Sequence, residues 1–548
     1  MQRASEDSRR REPNERDRLL PDNNRPGSSR RRRPQSDGYL DPDDPAVSID
    51  IDVPYERPHT DNLQVSPYNL WTVRVVRYFT IIFLVVTFLW WVLLLVSIFV
   101  SPPGLNSRGS GFFDFSYTTL TLGILLCSLL FFSAPSMAMR VCQGLIAIIL
   151  VADLIIIAVT PRIRAEEGPP GIASVVWATV ITLWCVATDR IVTWGKHEEE
   201  ERLTGRAETR RTLREWVSVL TATVILIVYI VIAAFMTATL VLRTRDASLE
   251  FDGGRYAVDD GKYEVHLACI GNVTQDENGN RMPTILLESA ESPLEYDFEH
   301  FLYNAYQNGT INRYCYWDRP GYAWSDNAPS PHSAGMCAEN LAEALVLKDE
   351  PGPYILVSGG YGSIVSRIFS SRHYSDVSGI MMVDPLHEDL LNRVGKPSRG
   401  FLLWGWGVIS PLGIQRIGGA LFKGRTREDR VYGTQAFQSG KFIKAQLQEN
   451  LVAESFTKSE IATARSIQTP DTPLVIVSSG KEIDNDSDWK KKQEQLTGIT
   501  DNLLSWDVVD NAPHFVWQNY DGRTVLEKRL GELMKKASKN ANGTMKAV

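Results

Sequence analysis

Five long apolar runs fill the first half of the chain, at 71–100, 112–133, 141–160, 171–188 and 216–242. Each approaches the roughly 20 residues needed to cross a hydrocarbon core, the first expected to be embedded from about Phe79. Buried helices of soluble proteins rarely run so long without a charge, so five transmembrane helices are expected. Beyond residue 250 the pattern changes. Short apolar runs at 263–268, 284–288, 313–317, 354–358, 379–384, 474–478 and 504–509 alternate with helical periodicity, clearest at 333–347. That alternation predicts a mostly parallel sheet flanked by helices. Between about 390 and 465 it gives way to an insertion holding FLLWGW at 401–406 and an Arg-rich stretch. The expected organisation is therefore a tail at 1–70, a membrane domain at 71–245 and an α/β domain at 250–540.

The tail is rich in Arg, Asp, Pro, Ser and Asn and buries too little apolar surface to offset the entropy of ordering, so it is expected to be disordered. No cleavable signal peptide is read, because the first apolar run begins too late, and the acids among the arginines argue against a mitochondrial presequence. Glu15, Leu19 and Leu20 form an acidic dileucine pattern of the kind read in vacuolar or endosomal sorting; a chance match in a charged tail is the alternative. The basic run at 30–33 before Ser36 reads as a kinase site, an anionic-lipid patch or a solvated charge run.

Basic residues set the expected topology. The connection 189–215 carries Arg190, Lys196, Arg202, Arg206, Arg210, Arg211 and Arg214, whereas the opposite-side connections hold Arg108 in one and Arg162 and Arg164 in the other. By the positive-inside rule the tail is cytosolic, and five spans then place the C-terminal domain across the membrane. The sequons at Asn272, Asn308, Asn485 and Asn542 all follow the last span, as glycosylation in a lumen requires. The expected compartment is the vacuolar or secretory route, with a mitochondrial membrane as the alternative. Asp153 lies inside the third span, where an ionisable group marks either a functional site or a hydrogen-bonded packing contact.

The net charge of −7 averages over unlike parts and says little about partners. Six Cys occur without metal-ligand spacing, and the three in the α/β domain allow at most one intradomain disulfide. No metal, cofactor, nucleic-acid or protein partner is read from the sequence. Membrane lipid, and an apolar or ester ligand beneath the 390–465 insertion, are the expected partners.

Three motifs carry a specific resemblance. YWDRPGYAWSD at 316–326 looks like a strand-4 loop, GPYILV at 352–357 like the strand before a nucleophile elbow, and NAPHFVW at 511–517 like a late His-bearing loop. In order and spacing they resemble the α/β-hydrolases, with 390–465 in the place of a cap. The whole architecture is similar to a fungal family of uncharacterised integral membrane proteins with a hydrolase-like C-terminal half.

The resemblance implies an elbow at Ser358-Gly359-Gly360-Tyr361-Gly362, with Gly360 in the nucleophile position. Glycine has no side chain to attack a carbonyl. Ser358 and Ser363 are the displaced alternatives, and neither has the flanking glycine pattern. His514 fits the base. For the acid, Glu482, Asp484 and Asp486 compete, with Asp384 a further possibility. Tyr361 and Glu291 fall in the oxyanion region, where an anionic Glu291 opposes a developing oxyanion. Three functions follow: a pseudohydrolase used for binding or scaffolding, a lipid or ester hydrolase with a displaced serine or a His514-activated water, or transport or lipid handling by the membrane helices.

Overall fold

A computed structural model describes residues 70–105, 107–204, 211–276, 279–293 and 297–544. Glu15, Leu19, Leu20, the run 30–33, Ser36, Arg206 and Arg210 lie outside the described residues.

The apolar runs form α1 (Trp71–Phe99), α2 (Phe112–Leu130), α3 (Met137–Val159), α4 (Pro161–Thr204) and α5 (Leu213–Ala247), each long and apolar enough to cross a membrane. Their inward faces share one core, including Tyr117, Ile124, Leu150, Ile181, Leu226 and Met236. Their outward faces expose large side chains such as Ile82, Leu89, Ile148 and Val224, a distribution suited to lipid rather than water. The fourth helix is longer than its apolar run for two reasons. Its charged C-terminal turns continue past the run, and at its start two helices merge across Gly168, whose φ of 63° precedes Pro169 and Pro170. Glycine accepts that φ, and proline at a first helical position loses no hydrogen bond. The fifth helix opens with a capping box, Thr212 accepting from the Glu215 amide while Glu215 accepts from that of Thr212. Asp153 is buried and accepts from the Tyr117 hydroxyl at 3.0 Å.

The C-terminal domain is built on eight strands: β1 (Gly254–Val258), β2 (Tyr263–Gly271), β3 (Thr284–Glu288), β4 (Arg313–Trp317), β5 (Tyr354–Gly359), β6 (Val377–Val383), β7 (Leu474–Ser479) and β8 (Leu503–Val509). Their order is β1-β2-β4-β3-β5-β6-β7-β8. The β1–β2 and β2–β4 pairs are antiparallel and the rest parallel. This is the α/β-hydrolase topology. Strand β1 was not among the expected elements. Helices α6 (Phe298–Gln307), α7 (Ala334–Leu347) and α8 (Gly362–Arg372) pack on the sheet, with a core on each face. Ser333 caps α7, its side chain accepting from the Met336 amide. A disulfide joins Cys269 on β2 to Cys315 on β4, directly opposite in register.

Between β6 and β7 lies the cap: α9 (Leu391–Val394), α10 (Pro397–Ile409), α11 (Ile414–Phe422), α12 (Arg427–Val431), α13 (Gly440–Val452) and α14 (Lys458–Ile467). It rests on the ends of the membrane helices. Leu94, Ile98, Phe112 and Phe115 share a core with Ile443 and Leu447, and α10 comes so close that a Cβ on Gly407 would stand 2.0 Å from the Phe112 ring. The Arg-rich stretch closes the same junction. Arg416 and Arg430, both buried, converge on buried Asp246 at the end of α5, at 3.2 Å and 3.0 Å. After β7 follow α15 (Gly480–Asn485), α16 (Ser487–Leu496) and, beyond β8, α17 (Tyr520–Thr544).

Candidate functional site

Strand β5 runs into a sharp turn and then directly into α8. Gly360 occupies the apex with φ +42°, the left-handed region in which an elbow holds its nucleophile. The flanking small residues are needed because the loop after β3 lies on the turn. A Cβ on Gly362 would stand 2.0 Å from the Ser289 carbonyl oxygen. The turn keeps its shape, and the atom that would attack is missing.

His514, in the loop after β8, lies beside that turn. Its Nδ1–H donates to Asp384 at 2.6 Å and its Nε2–H to Glu291 at 3.1 Å. The other Glu291 oxygen accepts from the Tyr361 backbone amide at 2.8 Å. In an active elbow Nε2 serves the nucleophile and the amide after the nucleophile binds the oxyanion. Here one carboxylate takes both places. A Cβ on Gly360 would stand 2.5 Å from Glu291 Oε2, so the carboxylate fills the space a nucleophilic side chain would need.

The charges reinforce the geometry. Burial disfavours the imidazolium, but the Glu291 carboxylate and the hydrogen bond to Asp384 outweigh it and hold His514 well above its usual range. Burial likewise opposes the Glu291 charge, yet His514 and the Tyr361 amide pull its carboxyl down to about 2. Each ring nitrogen of His514 thus faces a carboxylate oxygen, Nδ1 that of Asp384 and Nε2 that of Glu291.

Asp384 replaces Asp484 as the partner of His514. Asp384 follows β6, is fully buried, and also accepts from the Ser479 amide at 3.1 Å and Trp489 Nε1 at 3.0 Å. Asp484 is exposed on α15, after β7, and nearby Asp486 pairs with Arg393 at 2.6 Å. Ser358 lies buried within β5, and Ser363 donates to the Gly360 carbonyl at 2.7 Å. The Tyr361 side chain is buried in the core, so its contribution to the site is its amide.

Sequence reasoning missed how Glu291 is held. Arg319, from the YWDRPGYAWSD motif, is fully buried and donates to the Ser289 and Ala290 carbonyls at 2.9 and 2.6 Å. Glu288 at 3.1 Å and Glu449 at 3.3 Å neutralise it. The motif residue thus fixes the loop that carries Glu291. The motif itself was the signal available.

Residues 15–269 match the family described as a region of unknown function (DUF2417). An uncharacterised protein of Schizosaccharomyces pombe is 33% identical over 508 residues, covering 87% of this chain and 93% of its own. The chain belongs to this fungal family. An uncharacterised vacuolar membrane protein of Saccharomyces cerevisiae is 26% identical over 390 residues, 60% of each chain. Among solved structures, an α/β-hydrolase from a Medee basin deep-sea metagenome library matches 52% of this chain and 97% of its own, at 12% identity and a TM-score of 0.37. A haloalkane dehalogenase variant from Bradyrhizobium elkanii matches 53% and 98%, at 10% identity and a TM-score of 0.39. The chain is a membrane-associated protein with an α/β-hydrolase-like domain.

Proposed function

We propose that this protein is a catalytically silent hydrolase of the vacuolar membrane, its hydrolase fold serving in binding or scaffolding. One observation carries the reading: the Glu291 carboxylate sits on His514 and the Tyr361 amide, in the place of a nucleophile that Gly360 cannot supply. The family's missing side chain is replaced by an ion pair rather than by a displaced serine.

The test is to rebuild the site in the full chain. Gly360→Ser alone leaves the new hydroxyl in competition with Glu291 and is expected to hydrolyse short-chain p-nitrophenyl esters little better than wild type. Gly360→Ser/Glu291→Gly frees the amide and His514 and is expected to be at least about tenfold faster, one oxyanion donor being worth 10²–10³ in other hydrolases. A folded double variant no faster than wild type would show that these two residues are not what closes the site.

In the same reading the C-terminal domain faces the lumen. The basic stretch 189–215, which includes the end of α4 and the start of α5, favours a cytosolic position for that side. Asn272, Asn308 and Asn485 are exposed sequon positions, and the Cys269–Cys315 disulfide suits an oxidising compartment. Glycosidase treatment is expected to increase mobility, with the shift reduced by Asn272→Gln and Asn308→Gln. Protease access to the C-terminal domain in sealed, cytosol-out vesicles would rule this topology out.

A further inference from the structure

Where the cap meets the ends of the membrane helices lies a partly open cavity of about 80 Å³. Five cations line it: Arg162, Arg243, Arg416, Arg430 and Lys441. Against them stand the lining carboxylates Glu166 and Asp246, with Glu167 behind Arg243 and Asp114 hydrogen-bonded to Glu167. Positive charge is in excess even with all four acids ionised. Arg416 and Thr239 are lining residues more than nine-tenths buried, and their Nε and Oγ1 have no hydrogen-bond partner among the described residues. Buried donors are rarely left unpaired, and each costs about 1–3 kcal/mol when it is.

The cavity does not stand alone. Ser410 and Arg416 also belong to an adjoining groove of about 360 Å³, lined by Leu403, Trp406, Ile409 and Ile443. Around it the cap exposes Phe401, Leu402, Ile414, Leu421 and Phe422. Helices α10 and α11 thus present an apolar surface beside the membrane helices, where an amphipathic segment lies in the bilayer interface. A cationic pocket adjoining an apolar groove beside the ends of the membrane helices has the shape of an amphiphile with an anionic head.

The geometry points to a binding site for an anionic phospholipid, its phosphate in the cavity between α4, α5 and the cap and an acyl chain in the α10–α11 groove. Charge complementarity selects the head, and the groove selects a chain-bearing ligand over free phosphate. Burial also lowers Lys441 to about 8 and Arg416 to about 10, so an anion would offset a cost that their present partners leave. The proposal is independent of whether the elbow is silent, since no residue of that site takes part.

The test uses the full chain, delipidated in non-ionic detergent and titrated with dioleoyl phosphatidate, dioleoyl phosphatidylcholine and inorganic phosphate. Adducts are counted by native mass spectrometry. Phosphatidate is expected to bind at least about tenfold more tightly than phosphatidylcholine, the equivalent of one charge-assisted hydrogen bond. Arg416→Gln and Lys441→Gln are expected to erase that preference. Trp406→Glu, at an exposed position where folding is not at stake, is expected to weaken both lipids. Equal binding of the two lipids, or unchanged affinity in the Arg416 and Lys441 variants, would overturn the proposal. So would phosphate binding as tightly as phosphatidate, which would make this a free-anion site. If the Arg416 variant does not fold, the lipid comparison and Trp406→Glu still decide.

Discussion

Asp246→Asn is expected to destabilise the full chain by about 3–5 kcal/mol, the usual cost of removing one partner from a buried ion pair. The carboxylate ends α5 and receives two guanidiniums from the cap, Arg416 and Arg430, the latter donating from Nε to both carboxylate oxygens at 3.0 Å. All three residues are more than nine-tenths buried. Asparagine keeps the size but not the charge, leaving two cations facing one another away from water. The expected readouts are a lowered thermal midpoint in detergent and proteolytic cleavage within the cap. An unchanged midpoint would mean that apolar contacts such as Gly407 on Phe112 hold the cap without the ion pairs.

Cys269→Ser/Cys315→Ser is expected to cost about 4 kcal/mol, from the loop-closure entropy of a 46-residue separation. The bridge ties β2 to β4, the antiparallel pair joining the β-hairpin at the sheet edge to its parallel centre. The loss falls on the C-terminal domain, so its unfolding transition is expected to move while the bundle helices persist by circular dichroism. An unmoved transition would show that the pairing of β2 with β4 needs no cross-link.

The fold was legible because its signals are local. Seven strands announced themselves as short apolar runs, and three motifs fixed their order. Strand β1 escaped because GRYAV is short, lies at the sheet edge and pairs with β2 alone. The glycine at the apex of the turn was legible too, since a motif with five fixed places shows which residue stands in each, and Gly360 occupies that apex. The rest of the site was not. Acids crowd the loops after both β6 and β7, and only the folded register brings Asp384 rather than Asp484 to His514. Glu291 was recognised as an unfavourable charge near the oxyanion position. That it reaches His514 across 223 residues of sequence depends on the β3 loop, which Arg319 fixes. The ion pairs of Asp246 with Arg416 and Arg430 span 170 residues or more and leave no mark in periodicity.

Fluorophosphonate labelling of the purified wild-type protein, followed by peptide mapping, tests the silent site most directly. The probe captures any serine activated by a neighbouring base, whatever its place in the sequence. With Gly360 at the elbow and His514 held between Asp384 and Glu291, no adduct is expected, and His514→Ala should give the same blank result. A labelled wild-type protein whose adduct vanishes on Ser358→Ala or Ser363→Ala would contradict the account, for it would place the chemistry on a serine that Glu291 does not block.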